Sequence, residues 1–456
     1  MQNYNLSKNP PAQPQQFQPR QIPPLQQMQP PQRQPVPNRP IKSTRTKGSN
    51  KYYYIAIAVV AIIVACFFIY NIFFAGNESP DALQVENGKI LDYEIKNGRG
   101  YIVMSLEGTH YEIGYAQAEL IGKFIARGVN EIKAVVGDDY YQILRDYIDD
   151  SVWTHDMEDE FDGMVACLSS TYSSEGIDEI DLKIVNSMGD WYYSFACRSH
   201  SCWGQYVSSP IKTISTRRLD FPAPINSLKL HILCARNPSD GSTKWVNLGW
   251  PGSVSCVTGV NEYGTVASIH DYPGMTNYFT NSIPRMAACR YVLTYPSSSD
   301  ISTHLDSVYD ELQKYDIMTN TYLNYYVPEG YGGVITCMAP TSYLDENLEG
   351  YYDLRVPNYA WHNGEMIVTT NMNTDGSEAP DDEDFGADSY YNVISPKTQE
   401  SHWDLVADKE VWGNMKLQLF SVAYKDREEM TIWADGQLNG QSRTKRLEYE
   451  WSQLFS

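Results

Sequence analysis

The sequence predicts an α+β fold with stacked layers, and three patterns predict it. Between Val152 and Tyr193 apolar residues recur at helical spacing, as in the pairs Met164 with Leu168 and Ile184 with Met188. Beyond Cys202 the pattern changes to short β-rich runs at 203–207, 211–219, 228–235, 244–248, 253–260 and 265–270. A helical stretch over 283–314 separates these from further strands at 332–338 and 366–370 and from a helical C-terminus.

The first 50 residues hold eleven Pro and eleven Gln and no acidic residue. That composition buries too little apolar surface to offset the entropy of ordering, so residues 1–51 are expected as a disordered cytosolic tail. Within it Pro11-Ala-Gln-Pro14 has the polyproline spacing that SH3-type and WW-type domains bind, although such matches arise readily in any Pro-rich tail, so a partner of that kind is left open. Residues 52–75 run without a charge, long enough as a helix to cross a bilayer. Because a long polar segment precedes this run, it reads as a signal-anchor rather than a cleaved signal peptide. Lys42, Arg45, Lys47 and Lys51 lie before it and Glu78 and Asp81 after it. The positive-inside rule then predicts a single-pass type II membrane protein with its larger part lumenal or extracellular. The net charge is −21, and all 56 acidic residues lie beyond the apolar run, which argues against a nucleic-acid partner.

Residues 76–95 are expected as a linker and 96–201 as a helical segment opening near Gly108. In the β-rich part, Pro238-Ser-Asp-Gly241 and Asn261-Glu-Tyr-Gly264 carry the residue types that hairpin turns require, so an antiparallel sheet follows.

Eight cysteines are present: Cys66 in the apolar run and seven beyond it. In an oxidising compartment an odd number leaves one reactive thiol beside up to three disulfides. Cys202 is the candidate. It lies in Arg198-Ser-His-Ser-Cys-Trp-Gly204, at the start of a β-rich run, and is followed by Arg217-Arg-Leu-Asp220. A cysteine attacks as thiolate, so it needs a base or a depressed pKa. An N-terminal cysteine supplies the base itself, through an α-amino group whose reference pKa is about 7.7 to 8.0.

These motifs resemble N-terminal-nucleophile (Ntn) hydrolases of the penicillin acyltransferase-like and choloylglycine hydrolase-like type, in the linear amide C–N hydrolase superfamily. Gly108 through Gly114-Tyr-Ala-Gln117 resembles the pro-segment helix of that family, and Arg217-Arg-Leu-Asp220 its Arg-Asn-Leu-Asp. Trp250-Pro-Gly-Ser253 with Thr258–Gly264, Ile283–Leu293, Val368-Thr-Thr-Asn371 and Ser442-Arg-Thr-Lys-Arg446 continue the resemblance in order. It implies a four-layer αββα sandwich, cleaved at Ser201-Cys202 into a pro-segment chain (96–201) and a catalytic chain (202–456). It also implies attack on a small-molecule linear amide through a Cys202 thioester, ending in hydrolysis or acyl transfer without a cofactor.

The resemblance implies roles as well. Arg217 sits beside the thiolate, Asp220 holds the Cys202 amine, and Asn371 donates to the oxyanion. His270 occupies the place of an oxyanion-side Asn, and Arg443 approaches from the C-terminal helix with Arg446 as the competing choice. On a regular strand Arg218, not Arg217, shares a face with Asp220, so Arg218 stays open as the active-site cation.

Three other readings compete. Ser201-Cys202-Trp203 matches part of a papain-like signature, with His362 as the base. The 35 Tyr suit a non-catalytic, aromatic-rich binding surface with Cys202 in a disulfide. A phospholipase B-like acyl hydrolase on the same fold is the third. No Cys/His pair shows zinc-ligand spacing, so no metal is expected, and no nucleotide motif is present.

Overall fold

Two β-sheets packed face to face carry the structure, and helices cover their outer faces. The computed structural model describes residues 77–192, 196–220, 225, 227–272, 281–295, 301–328, 331–339, 351–356, 365–370, 396–407, 416–426, 429–436 and 446–456. All of them belong to one unit, Ile69–Ser456.

The described chain opens with strands β1 (Asn77–Glu78), β2 (Gln84–Val85), β3 (Gly88–Lys96) and β4 (Arg99–Gly108). Helices α1 (His110–Val136), α2 (Asp138–Asp149), α3 (His155–Thr171), α4 (Glu179–Asn186) and α5 (Met188–Trp191) follow. Strands β5 (Ala196–Trp203), β6 (Thr213–Asp220), β7 (Leu230–Pro238), β8 (Trp245–Gly249), β9 (Thr258–Asn261) and β10 (Val266–Asp271) come next. After α6 (Arg285–Thr294) and α7 (Ile301–Leu312) come β11 (Thr321–Val327), β12 (Tyr331–Met338), β13 (Tyr351–Arg355) and β14 (Met366–Thr370). The chain closes with α8 (Gln399–Ala407), β15 (Lys416–Tyr424), β16 (Met430–Gly436), β17 (Leu447–Glu450) and α9 (Trp451–Leu454).

The larger sheet has the order β1-β3-β4-β7-β8-β9-β10-β11-β12-β13, with β2 beside β3; the smaller is β14-β5-β6-β15-β16-β17. Neighbours are antiparallel except β4 and β7. Turn chemistry fixes the hairpins as the sequence indicates. Gly241 and Gly264 take φ of 88° and 80°, and the Asn261 side chain accepts from the Tyr263 and Thr265 amides.

Three apolar cores set the layers. Ile113, Phe124, Phe161, Leu182 and Val292 of the helices pack on Ile102, Met104 and Ile232 of the larger sheet. Its opposite face, through Val103, Leu233, Val246 and Val260, meets Phe420, Val422, Ile432 and Ala434 of the smaller sheet. The far face of that smaller sheet, with Ile214, Val368 and Leu419, is covered by Trp403 and Val406 of α8.

Helix α1 begins with a capping box in which Thr109 and Glu112 satisfy each other's backbone amides. Its contact with α3 is close because both sides present glycine. A Cβ on Gly114 would lie 1.9 Å from the Glu160 carbonyl oxygen, and one on Gly163 would lie 2.0 Å from that of Tyr111. Beneath this crossing Glu160 is fully buried, accepting from Arg290 Nη2 at 2.7 Å and Arg236 Nε at 3.2 Å. Both guanidinium groups lie over the Trp245 ring, so one carboxylate ties α3 and α6 to the larger sheet.

Several expectations are corrected. The fold class included a transmembrane helix before the sandwich, but no helix among the described residues is long and apolar enough to cross a membrane. Residues 52–75, on which that expectation rested, and the tail 1–51 lie outside the described residues. Segment 76–95 is not a linker: β3 needs β4 to satisfy its backbone, and the two pair from Gly88 with Leu106 to Lys96 with Arg99. Segment 96–201 is not purely helical, since β4 pairs in parallel with β7 from Gly100 with Leu230 to Gly108 with Pro238. The C-terminus is strand-rich, because β15 supplies the partner that β6 requires.

Glu160 carries a testable consequence. Burial raises its pKa, but Arg290 and Arg236 outweigh that and hold it down at about 2, against an ordinary 4.5. The stabilisation is complete above the unfolded value and is lost as pH falls toward the folded one. Glu160→Gln is expected to cost about 3–5 kcal/mol in urea unfolding at pH 7, with the gap to wild type closing in acid.

Candidate active site

The two-residue period of β5 sends its side chains to two different places. Cys197, Ser199, Ser201 and Trp203 point toward the larger sheet, whereas Arg198, His200 and Cys202 point toward α8. β5 lies between β14 and β6, with Cys197 opposite Leu219, Ser199 opposite Arg217 and Cys202 opposite Ile214.

Arg217 reaches across the strand pair. Its Nη2 lies 3.1 Å from Cys197 Sγ and donates at 3.0 Å to the Ile269 carbonyl at the end of β10. Cys197 is 3% exposed and stands one residue from the start of β5. Burial pushes its thiol up to about 11; Arg217 opposes this, while Asp271 and Asp220 add to it. The thiol is therefore protonated at neutral pH, and needs a base to become a nucleophile.

Around Cys197 the larger sheet contributes polar groups. Ser199 Oγ lies 2.7 Å from His270 Nε2 and 3.4 Å from Ser268 Oγ, and Asn324 Nδ2 donates to Ser268 Oγ at 3.3 Å. Thr321 Oγ1 donates to the His270 carbonyl at 2.8 Å, fixing the end of β10. Next along that strand, Asp271 is ion-paired with Arg285 at 2.5 Å. Asp190 accepts from the Arg285 backbone at 3.2 Å and from Thr319 Oγ1 at 2.6 Å, and burial raises its pKa to about 6.

Cys202 is elsewhere. It lies about 16 Å further along the strand and faces the opposite side, fully buried with Ile214, Val368 and Trp403. Its thiol donates to the Tyr206 carbonyl at 3.7 Å, and burial pushes its pKa well above the usual thiol range. The Ser201-Cys202 bond is inside β5, where cleavage would cut a paired strand. The expected placement of Arg217 beside Cys202 is thus corrected by strand parity: Arg217 meets Cys197. The disulfide arithmetic is corrected too, since all seven described cysteines are buried thiols outside any disulfide. Cys202 in a disulfide, as the binding-surface reading requires, is not found.

The remaining expected residues divide. Arg217 takes the position beside a thiol. Arg218 faces α8, where its Nε donates to Asp220 Oδ1 at 2.7 Å and its Nη1 to the Ala407 carbonyl at 3.3 Å. Asp220 opposes Ala196 across the strand pair, one residue from Cys197. His270 approaches Ser199 rather than either cysteine. Arg446 stacks over Trp433 at 4.0 Å and pairs with Glu448, which places it on the α8 side, away from Cys197. Asn371, Arg443 and His362 lie outside the described residues.

Sequence reasoning passed over Cys197 and Ser199. The signal was available: residues two apart on a strand share a face, and Cys197, Ser199 and Ser201 form such a set before Cys202. The long connection 204–212, including the short 3₁₀ turn Gly204–Tyr206, hid it by lengthening the spacing from the true partner to Arg217.

No family model and no curated protein matches the sequence. Solved structures similar to this one include an N-acylethanolamine-hydrolyzing acid amidase ortholog from Caenorhabditis elegans, at 15% identity and TM-score 0.31, covering 49% of this chain and 92% of that one. They also include a mutant conjugated bile acid hydrolase from Clostridium perfringens, at 11% identity and TM-score 0.33, covering 56% of this chain and 92% of that one. The roles assigned to residues rest on the side-chain geometry.

Removing Arg218 is expected to destabilise the fold, because the pair it forms with Asp220 is buried on both sides. Arg218→Ala should lose about 3–5 kcal/mol in urea unfolding, and a variant as stable as wild type would contradict this structural assignment.

Proposed function

We propose that this chain is the precursor of an Ntn-type cysteine amidohydrolase whose nucleophile is Cys197, acting on a small-molecule linear amide. The observation that carries the reading is the Arg217 guanidinium 3.1 Å from Cys197 Sγ at the start of β5. A fixed cation there stabilises developing thiolate and the oxyanion that forms on an attacked carbonyl.

Maturation follows from the position. The Cys197 thiol adds to the Ala196 carbonyl carbon, and the peptide nitrogen leaves as an amine while a thioester forms. Water then hydrolyses that thioester, freeing the thiol and leaving Cys197 with an α-amino group. This group has a reference pKa of about 7.7 to 8.0 and accepts the thiol proton in the next reaction. Asp220, one residue away across the ladder, orients that amine as a hydrogen-bond acceptor.

In turnover the thiolate attacks the amide carbonyl, the amine leaves with the proton held on the Cys197 nitrogen, and water hydrolyses the acyl thioester. An amine acceptor in place of water gives acyl transfer through the same intermediate. After cleavage the β4–β7 ladder holds the two chains together, so the pro-segment stays as part of the larger sheet.

Mass mapping of the purified protein is expected to find a fragment beginning at Cys197. It should vanish in Cys197→Ala and persist in Cys202→Ala; a fragment beginning at Cys202, or an intact wild-type chain, contradicts the reading. In the matured protein Arg217→Ala is expected to lower kcat on a linear amide by about 10²–10³-fold, the usual loss of one oxyanion-side donor.

A further inference from the structure

We propose that His200, Cys202 and His402 bind one thiophilic d¹⁰ metal ion, zinc(II) or copper(I), between the smaller sheet and α8. One ligand atom from each of the three lies within 4.8 Å of the others, and all three residues are buried. A thiolate with two imidazoles is a donor set that selects such ions over hard cations, which prefer oxygen.

The local fold builds the site. His200 and Cys202 are two apart on β5 and so share its outer face, and His402 comes down from the first turns of α8. The His200 and His402 rings stack at 4.6 Å between centroids, with His200 Nδ1 2.6 Å from His402 Nε2. Two nitrogens on one tetrahedral ion sit about 3.3 Å apart, so the rings need open by only about 0.7 Å to admit it. Metal-bound imidazoles are oriented by a partner on the other ring nitrogen. His402 has that partner: its Nδ1 lies 2.7 Å from Thr216 Oγ1, which is itself 2.8 Å from Ser421 Oγ.

Binding takes the proton from Cys202 to solvent and forms the metal–sulfur bond. With copper(I) the site is electrically neutral, which suits a buried setting with three protein ligands; with zinc(II) a fourth ligand completes the tetrahedron. The ion would join β5 to α8 across a sequence separation of 202 residues. This gives Cys202 a role independent of Cys197. Linear spacing concealed the set, because only His200 and Cys202 are near in sequence.

The test is elemental analysis of the purified full-length protein, loaded separately with zinc(II) and with copper(I) and freed of excess metal. One retained equivalent of either ion supports the site and identifies the ion. Cys202→Ser should abolish retention while far-ultraviolet circular dichroism shows the same fold. Thr216→Val keeps all three ligands and should weaken affinity by about 10–100-fold, which reads the site even if a ligand variant misfolds. No retention of either ion by wild type, or unchanged retention by Cys202→Ser, overturns the proposal. Amidase activity does not enter this readout, so its outcome is separate from that of Cys197.

Discussion

The two-residue alternation along β5 is the constraint on which the rest depends. Because β5 is held on both sides, by β14 and β6, its register cannot slip without exchanging the residues of its two covered faces. Odd positions are committed to the polar seam with the larger sheet, and even positions to the layer beneath α8. The same period acts on β6, sending Arg217 to Cys197 and Arg218 with Asp220 to the opposite face. Two adjacent arginines therefore serve different layers, one beside a thiol and one in a buried ion pair.

Burial gives those charges their effect. Glu160 remains ionised inside the helical layer because Arg236 and Arg290 surround it, which makes it a fixed anchor for α3 and α6 on the sheet. Cys197 is in the contrary situation. A single cation does not overcome burial and two nearby carboxylates, so its thiol stays protonated until a base is created beside it. This balance is what the proposed maturation would change, by releasing an amine beside the thiol.

Much of the layering was legible in the sequence. The hairpins at Gly241 and Gly264 followed from turn chemistry, and the run 283–314 contains α6 and α7. Arg217 was legible as a cation beside a thiol through its resemblance to a known motif, and the structure places it beside one. Which cysteine adjoins Arg217 was not, because spacing from a cysteine to an arginine says nothing of which face each takes until the strand bounds are fixed. The odd-cysteine argument also pointed to Cys202 for a reason that the structure removes, since the described cysteines are all thiols. The strand character of the C-terminus escaped notice because β15 pairs with the distant β6, whereas β3 and β4 form a local hairpin whose Asn97-Gly98 turn was passed over in the sequence.

The central claim is that catalysis belongs to Cys197, and trapping the acyl-enzyme tests it most directly. The matured protein would be mixed with an activated linear acyl substrate, quenched in acid and digested, and the acylated peptide sequenced by mass spectrometry. The account predicts a thioester on the N-terminal Cys197 that is lost in Cys197→Ala and kept in Cys202→Ala. An acyl group on Cys202 would contradict it.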